Sequence, residues 1–145
     1  MKIKTIILAC LLLASTATQA AIPQGKWTVI QITIEKNTDG NIQTTMYNTP
    51  TEVQSHYPRL QELEINARNI VLRYFNGWEE VSPSYTVTGN YLTLTSELYS
   101  QPIRYNLNED ILMLFATHSY VYNLPTGQTK QITENWTINL KQQKQ

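Results

Sequence analysis

Cysteine is almost missing from this chain: 145 residues contain one, Cys10, inside an apolar stretch near the N-terminus. The remainder can hold no disulfide framework, no thiol nucleophile and no cysteine metal centre. Histidine is nearly as scarce. His56 and His118 are too few and too far apart for a metal site, which needs three or four convergent ligands, so neither metal nor cofactor is expected. No charge of either sign dominates, with 11 Lys and Arg against 11 Asp and Glu, which removes the clustered basic face of a nucleic-acid binder. There is no Walker or Rossmann glycine motif and no Gly-x-Ser-x-Gly elbow. Asp39 and Asp110 fall in turn sequences and Glu79-Glu80 in a solvated loop, so neither a triad nor a carboxylate pair is expected, and the chain reads as a non-enzyme. Five Gly and six Pro beside 41% hydrophobic residues fit one folded domain rather than a disordered chain.

Long hydrophobic runs are also lacking. The apolar run at residues 5–14 is too short to cross a bilayer, which takes about 20 residues. Preceded by Lys2 and Lys4 and followed by Thr18-Gln19-Ala20, it has the layout of a secretory signal, with cleavage expected after Ala20. Lipid attachment at Cys10 is disfavoured, because Leu11, Leu12 and Leu13 continue the apolar run beyond it. The expectation is an exported protein, periplasmic or secreted, starting at Ala21. It would have no cysteine, no membrane span, and a slight acidic excess once Lys2 and Lys4 are gone.

What is abundant is β texture: Thr, Ile, Val and Tyr in short runs punctuated by Asn, Gly, Asp and Pro, without a long stretch at helical period. In residues 132–141, Ile132, Trp136, Ile138 and Leu140 share one face and Thr133, Asn135, Thr137 and Asn139 the other. In residues 26–35 alternation places Ile30, Ile32 and Ile34 on one face, with Trp27, Val29, Gln31 and Thr33 opposite, so both faces are apolar near the start. Asp39-Gly40 marks a hairpin into a strand at 42–47, and Gly89-Asn90 a second one within 85–95. Further strands are expected at 60–66, 69–75, 102–107 and 111–119, the last extendable to Tyr122. Residues 49–58 are expected to form a loop or one helical turn, and residues 77–83 a loop.

Eight or nine antiparallel strands joined mostly by short connections suit an all-β, up-and-down barrel better than a two-sheet sandwich. Gly25-Lys26-Trp27 at the start of the first strand matches the Gly-x-Trp signature of lipocalins and their calycin relatives. Together with the hairpin at 85–94, the block at 105–114 and a closing strand, it resembles the small secreted lipocalin-like domains of Gram-negative bacteria. Two departures point to the divergent members: no Thr-Asp-Tyr motif is present, and no Arg follows Trp136. The resemblance implies an eight-stranded barrel, often with an apolar ligand cavity, with Gly25 and Trp27 structural at the closed end.

Nine Tyr and three Trp are the most distinctive chemistry. A cup lined by Trp78, Tyr85, Tyr91, Tyr105, Phe115 and Trp136 could hold an apolar or amphipathic ligand, although strand packing alone also favours such residues. Arg73 and Arg104 sit within apolar strands. Turned inward, either would pair with a ligand carboxylate; turned outward, either would be solvated. The expected function is non-covalent binding of a small hydrophobic ligand. The alternative is a protein-interaction module, such as a calycin-type protease inhibitor or surface-complex subunit, with a barrel filled by its own side chains and contacts through the loops at 49–58 and 77–83.

Overall fold

The computed structural model describes residues 21–55, 59–95 and 101–144. The expected signal segment, with Cys10, lies outside the described residues, as does His56. The described residues form ten strands and one helix: β1 (Gly25–Thr38), β2 (Asn41–Tyr47), α1 (Pro50–Ser55), β3 (Leu60–Ile65), β4 (Ile70–Tyr74), β5 (Glu79–Ser82), β6 (Tyr85–Thr88), β7 (Tyr91–Leu94), β8 (Ile103–Asn108), β9 (Ile111–Asn123) and β10 (Thr129–Gln142). All pairings are antiparallel within one sheet, whose order β5-β4-β3-β1-β10-β9-β8-β7-β6 curls into a nearly closed barrel. The expected all-β barrel is present, with nine strands around it and β2 off the path.

The turns form where the sequence supplies positive φ. Asp39 and Gly40 adopt φ of 50° and 88° between β1 and β2, and Gly89 adopts 67° between β6 and β7. Residues 79–82 depart from the expected loop: they form β5, paired with β4 from Arg73↔Glu79 to Ile70↔Ser82. A four-residue edge strand of sequence Glu-Glu-Val-Ser carries too little alternation to stand out from a loop.

Strand β1 explains both the closure and the ambiguity of its faces. Its register against β10 shifts between Val29 and Gln31, so one residue is left over at Ile30. Trp27 and Val29 point inward before that bulge, Ile32 and Ile34 after it, and Ile30 is left 39% exposed. At 14 residues, β1 also has room for two partners on one edge: β3 pairs with residues 25–28 and β2 with residues 32–38. Sequence-adjacent β2 and β3 are therefore not neighbours, and α1 connects them.

The inward positions are filled by this chain's own side chains. Trp27, Ile32, Val53, Ile65, Ile70, Leu112 and Leu140 are wholly buried, joined by Leu63, Leu72, Leu92, Leu94 and Tyr105. Trp27 lies near the start of β1, its indole N–H donating to the Pro23 carbonyl at 3.2 Å. Val53 of α1 joins the same core. α1 starts in a reciprocal cap: the Glu52 N–H donates to Thr49 Oγ1, and the Glu52 carboxylate accepts the N–H groups of Thr49 and Asn48.

The barrel has a seam where β5 and β6 fail to pair. Ser82, wholly buried, bridges it by donating to the Ser84 carbonyl at 2.7 Å and accepting the Thr95 N–H at 2.8 Å. The Tyr85 hydroxyl adds a bond to the Asn66 carbonyl at 2.9 Å.

Candidate functional site

The site residues expected from sequence divide between the two surfaces of the sheet instead of converging. Arg73 lies on the outer surface, where it pairs with Glu62 and Glu79, each at 2.8 Å, and with Glu64. Three carboxylates raise the pKa of its guanidinium still further. Arg104 is likewise outward, its guanidinium 4.2 Å from the centre of the Phe115 ring. Trp78 is half exposed and stacks on Tyr74 with ring centres 4.9 Å apart, and Tyr91 is 46% exposed. Of the remaining positions, Tyr105 is core, with its hydroxyl 3.4 Å from the Gly89 carbonyl; Tyr85 packs against the core at the seam; and Trp136, on β10, is partly buried against it. Gly25, at φ 125°, starts β1 next to the buried Trp27. A recess of about 380 Å³ opens at this end between Gln24–Lys26, Glu64–Asn66 and Gln143. Two of its lining residues are bonded to residues around it: the Gln143 amide donates to Glu62 and Thr28, and the Gln24 carbonyl accepts from the Gln142 side chain.

The structure draws attention elsewhere. Beyond the barrel, β2, the far half of β1, the near half of β10 and residues 116–123 of β9 continue as a four-stranded arm in the order β2-β1-β10-β9. β8 pairs with β9 only as far as Phe115, so neither margin of the arm, β2 or residues 116–123, has a further strand beyond it among the described residues. Neither margin contains Pro, Lys, Arg, Asp or Glu, the residues that normally discourage edge-to-edge pairing. Four of the eight large apolar side chains exposed among the described residues lie there: Ile42 and Met46 on β2, Val121 and Tyr122 on β9.

The two faces of the arm differ. On the face continuous with the barrel exterior, polar groups bond across the strands: Thr117 to Asn135, Asn135 to Glu35, and Ser119 with Thr133. The face continuous with the interior carries Ile34, Trp136, Ile132 and Tyr120. There Glu134 accepts the Tyr120 hydroxyl and the Trp136 indole N–H, each at 3.1 Å, while the His118 ring sits 5.4 Å from that of Tyr120. Burial, and then the bond to Glu134, push the Tyr120 phenol up. This Tyr-Glu-Trp group was missed from sequence, although Glu134 and Trp136 stand two apart on one strand and so share a face. Among the described residues no three metal-ligating side chains converge, and no helix is long and apolar enough to cross a membrane.

Comparison with protein-family descriptions, with curated proteins and with solved structures finds no match to this chain.

Proposed function

We propose that this protein is a non-catalytic, exported interaction module of calycin-like form, in which the barrel is a solid support and the arm is the contact surface. The observation that carries this reading is the pair of long, uncharged, open strand margins bearing Ile42, Met46, Val121 and Tyr122. An exposed edge supplies a row of main-chain donors and acceptors for an added strand, and alternate side chains supply selectivity. The packed interior supports it, because the inward positions an open cup would need hold Leu, Ile and Trp side chains.

The test is site-specific photo-crosslinking in cells producing the full chain, with the reactive residue at Thr44 on the arm or at Lys141 on the barrel wall. Protein adducts formed from position 44 and not from 141 are expected. Equal labelling from both, or none from 44, would overturn the reading.

A second reading, binding of a small amphipathic molecule, is favoured by the Tyr120-Glu134-Trp136 group above the apolar Ile34 and Ile132. Here the ligand would lie on the inner face of the arm, with Glu134 as the polar anchor. Native mass spectrometry of the purified protein distinguishes the two: a stoichiometric small-molecule adduct lost on Glu134→Ala supports the second reading, and a bare mass rejects it.

A further inference from the structure

We propose that β2 is the interface between two copies of this chain, paired antiparallel about a two-fold axis at Thr44. The inference rests on the interaction-module reading and names its partner. An isologous strand pair that continues a sheet must place residues of the same face opposite one another, so the axis passes through a residue and not between two. For the seven residues of β2, only an axis at Thr44 brings the whole strand into register: Asn41 opposite Tyr47, Ile42 opposite Met46, Gln43 opposite Thr45, and Thr44 opposite itself. That register brings the two exposed apolar side chains of β2 together. Ile42, 58% exposed, meets Met46 of the second copy, and Met46, 55% exposed, meets its Ile42. Both belong to the arm face that carries Thr33, Glu35 and Asn37, since they pair in register with Thr33 and Asn37.

Charge permits the arrangement. A two-fold edge repeats the charge of one strand on the other, so a strand of one sign would repel its copy, and β2 carries no charge. The acidic group paired with the strand at the axis is Glu35, in register with Thr44. Across two intervening strands the two copies of Glu35 would stand about 14 Å apart, three strand spacings, which exceeds the Debye length of about 8 Å at physiological salt. Six of the seven residues of β2 are exposed on both faces, so the strand is open to a neighbour along its length. The product is an eight-stranded sheet across the dimer, with the β9 margins at its two ends.

Sedimentation velocity of the full chain over a range of concentrations tests this. A concentration-dependent dimer is expected. Ile42→Lys and Met46→Glu should each weaken it by at least about tenfold, because every substitution spoils two symmetry-related contacts. The double variant should recover it, since the lysine introduced at position 42 of one copy then faces the glutamate introduced at position 46 of the other. Val121→Lys, on the opposite margin, should leave the dimer unchanged. A dimer abolished by Val121→Lys and indifferent to the β2 variants would overturn the proposal, as would a chain monomeric at every concentration. Failure here is separable from failure of the interaction-module reading. Adducts from Thr44 at a mass other than the dimer would keep that reading and reject the second copy, whereas absence of adducts would reject both.

Discussion

Replacing Ser82 by Ala tests the account of the seam. The hydroxyl makes two bonds, donating to the Ser84 carbonyl at 2.7 Å and accepting the Thr95 N–H at 2.8 Å, and the residue is wholly buried. A buried donor or acceptor left without a partner costs about 1–3 kcal/mol, and two lost bonds would approach the top of that range. The geometry lowers the figure, because the Thr95 N–H and the Ser84 carbonyl also bond each other at 3.2 Å and keep that bond in the variant. The expected loss is therefore about 1–2 kcal/mol. In a domain of this size that lowers the melting temperature by roughly 3–10 °C. Urea titration should show a lower midpoint with unchanged slope. Amide exchange should quicken at Thr95 and its β6 and β7 neighbours by more than at Leu140, which lies between β1 and β9. A stability change below about 0.3 kcal/mol, or uniform quickening at every amide, would refute the idea that Ser82 replaces the missing strand pairing.

Three further outcomes are expected. Glu134→Gln removes the charged partner of the Tyr120 hydroxyl, so the Tyr120 titration, followed by phenolate absorbance, should move down toward the usual tyrosine range without reaching it, because burial remains the larger cause. Hydrogen bonds from the Asn48 and Thr49 amides hold the Glu52 carboxyl below its ordinary value of 4.5. Its contribution is thus complete above that pH and lost as pH falls through the lowered value, so the two amide resonances should titrate together in the acid range, at lower pH than a free glutamate. Arg73→Gln leaves Glu62, Glu64 and Glu79 facing one another on the barrel wall; denaturation should show a loss of about 1 kcal/mol at low ionic strength that shrinks as salt is added.

Much of the barrel was legible because its signals are local. Asp39-Gly40 and Gly89 mark turns by the φ they must adopt, and the alternation of Ile132, Trp136, Ile138 and Leu140 gave the inward face of β10 directly. The bulge at Ile30 was not legible, since one unpaired residue in a run of β-branched side chains leaves the composition unchanged and exchanges the faces. Strand β5 was too short to show alternation. The cap of α1 was readable and missed: Thr49-Pro50-Thr51-Glu52 has the spacing of a capping box with proline at the first helical position. The arm could not be read at all. That β2 and residues 116–123 are margins follows from which strands run longer than their neighbours, a property of the assembled sheet and not of any segment. For the same reason the expected cup placed Arg73, Trp78, Tyr91 and Arg104 beside Tyr105, although alternation sends Arg73, Tyr91 and Arg104 outward and Trp78 lies exposed in the connection before β5.

The pairing of β1 with β10 joins the first and last of the described strands, Trp27 with Gln142 and Thr38 with Ile132. Contacts of such sequence separation require closure of a loop longer than any other strand pairing among the described residues, and topologies dominated by them fold slowly. Until β10 arrives, β1 has β2 and β3 along one edge and nothing along the other, leaving Ile32 and Ile34 uncovered. The first strand made is thus the last to be completed, and a chain shortened by even its final ten residues would leave open the centre of the barrel instead of fraying one side.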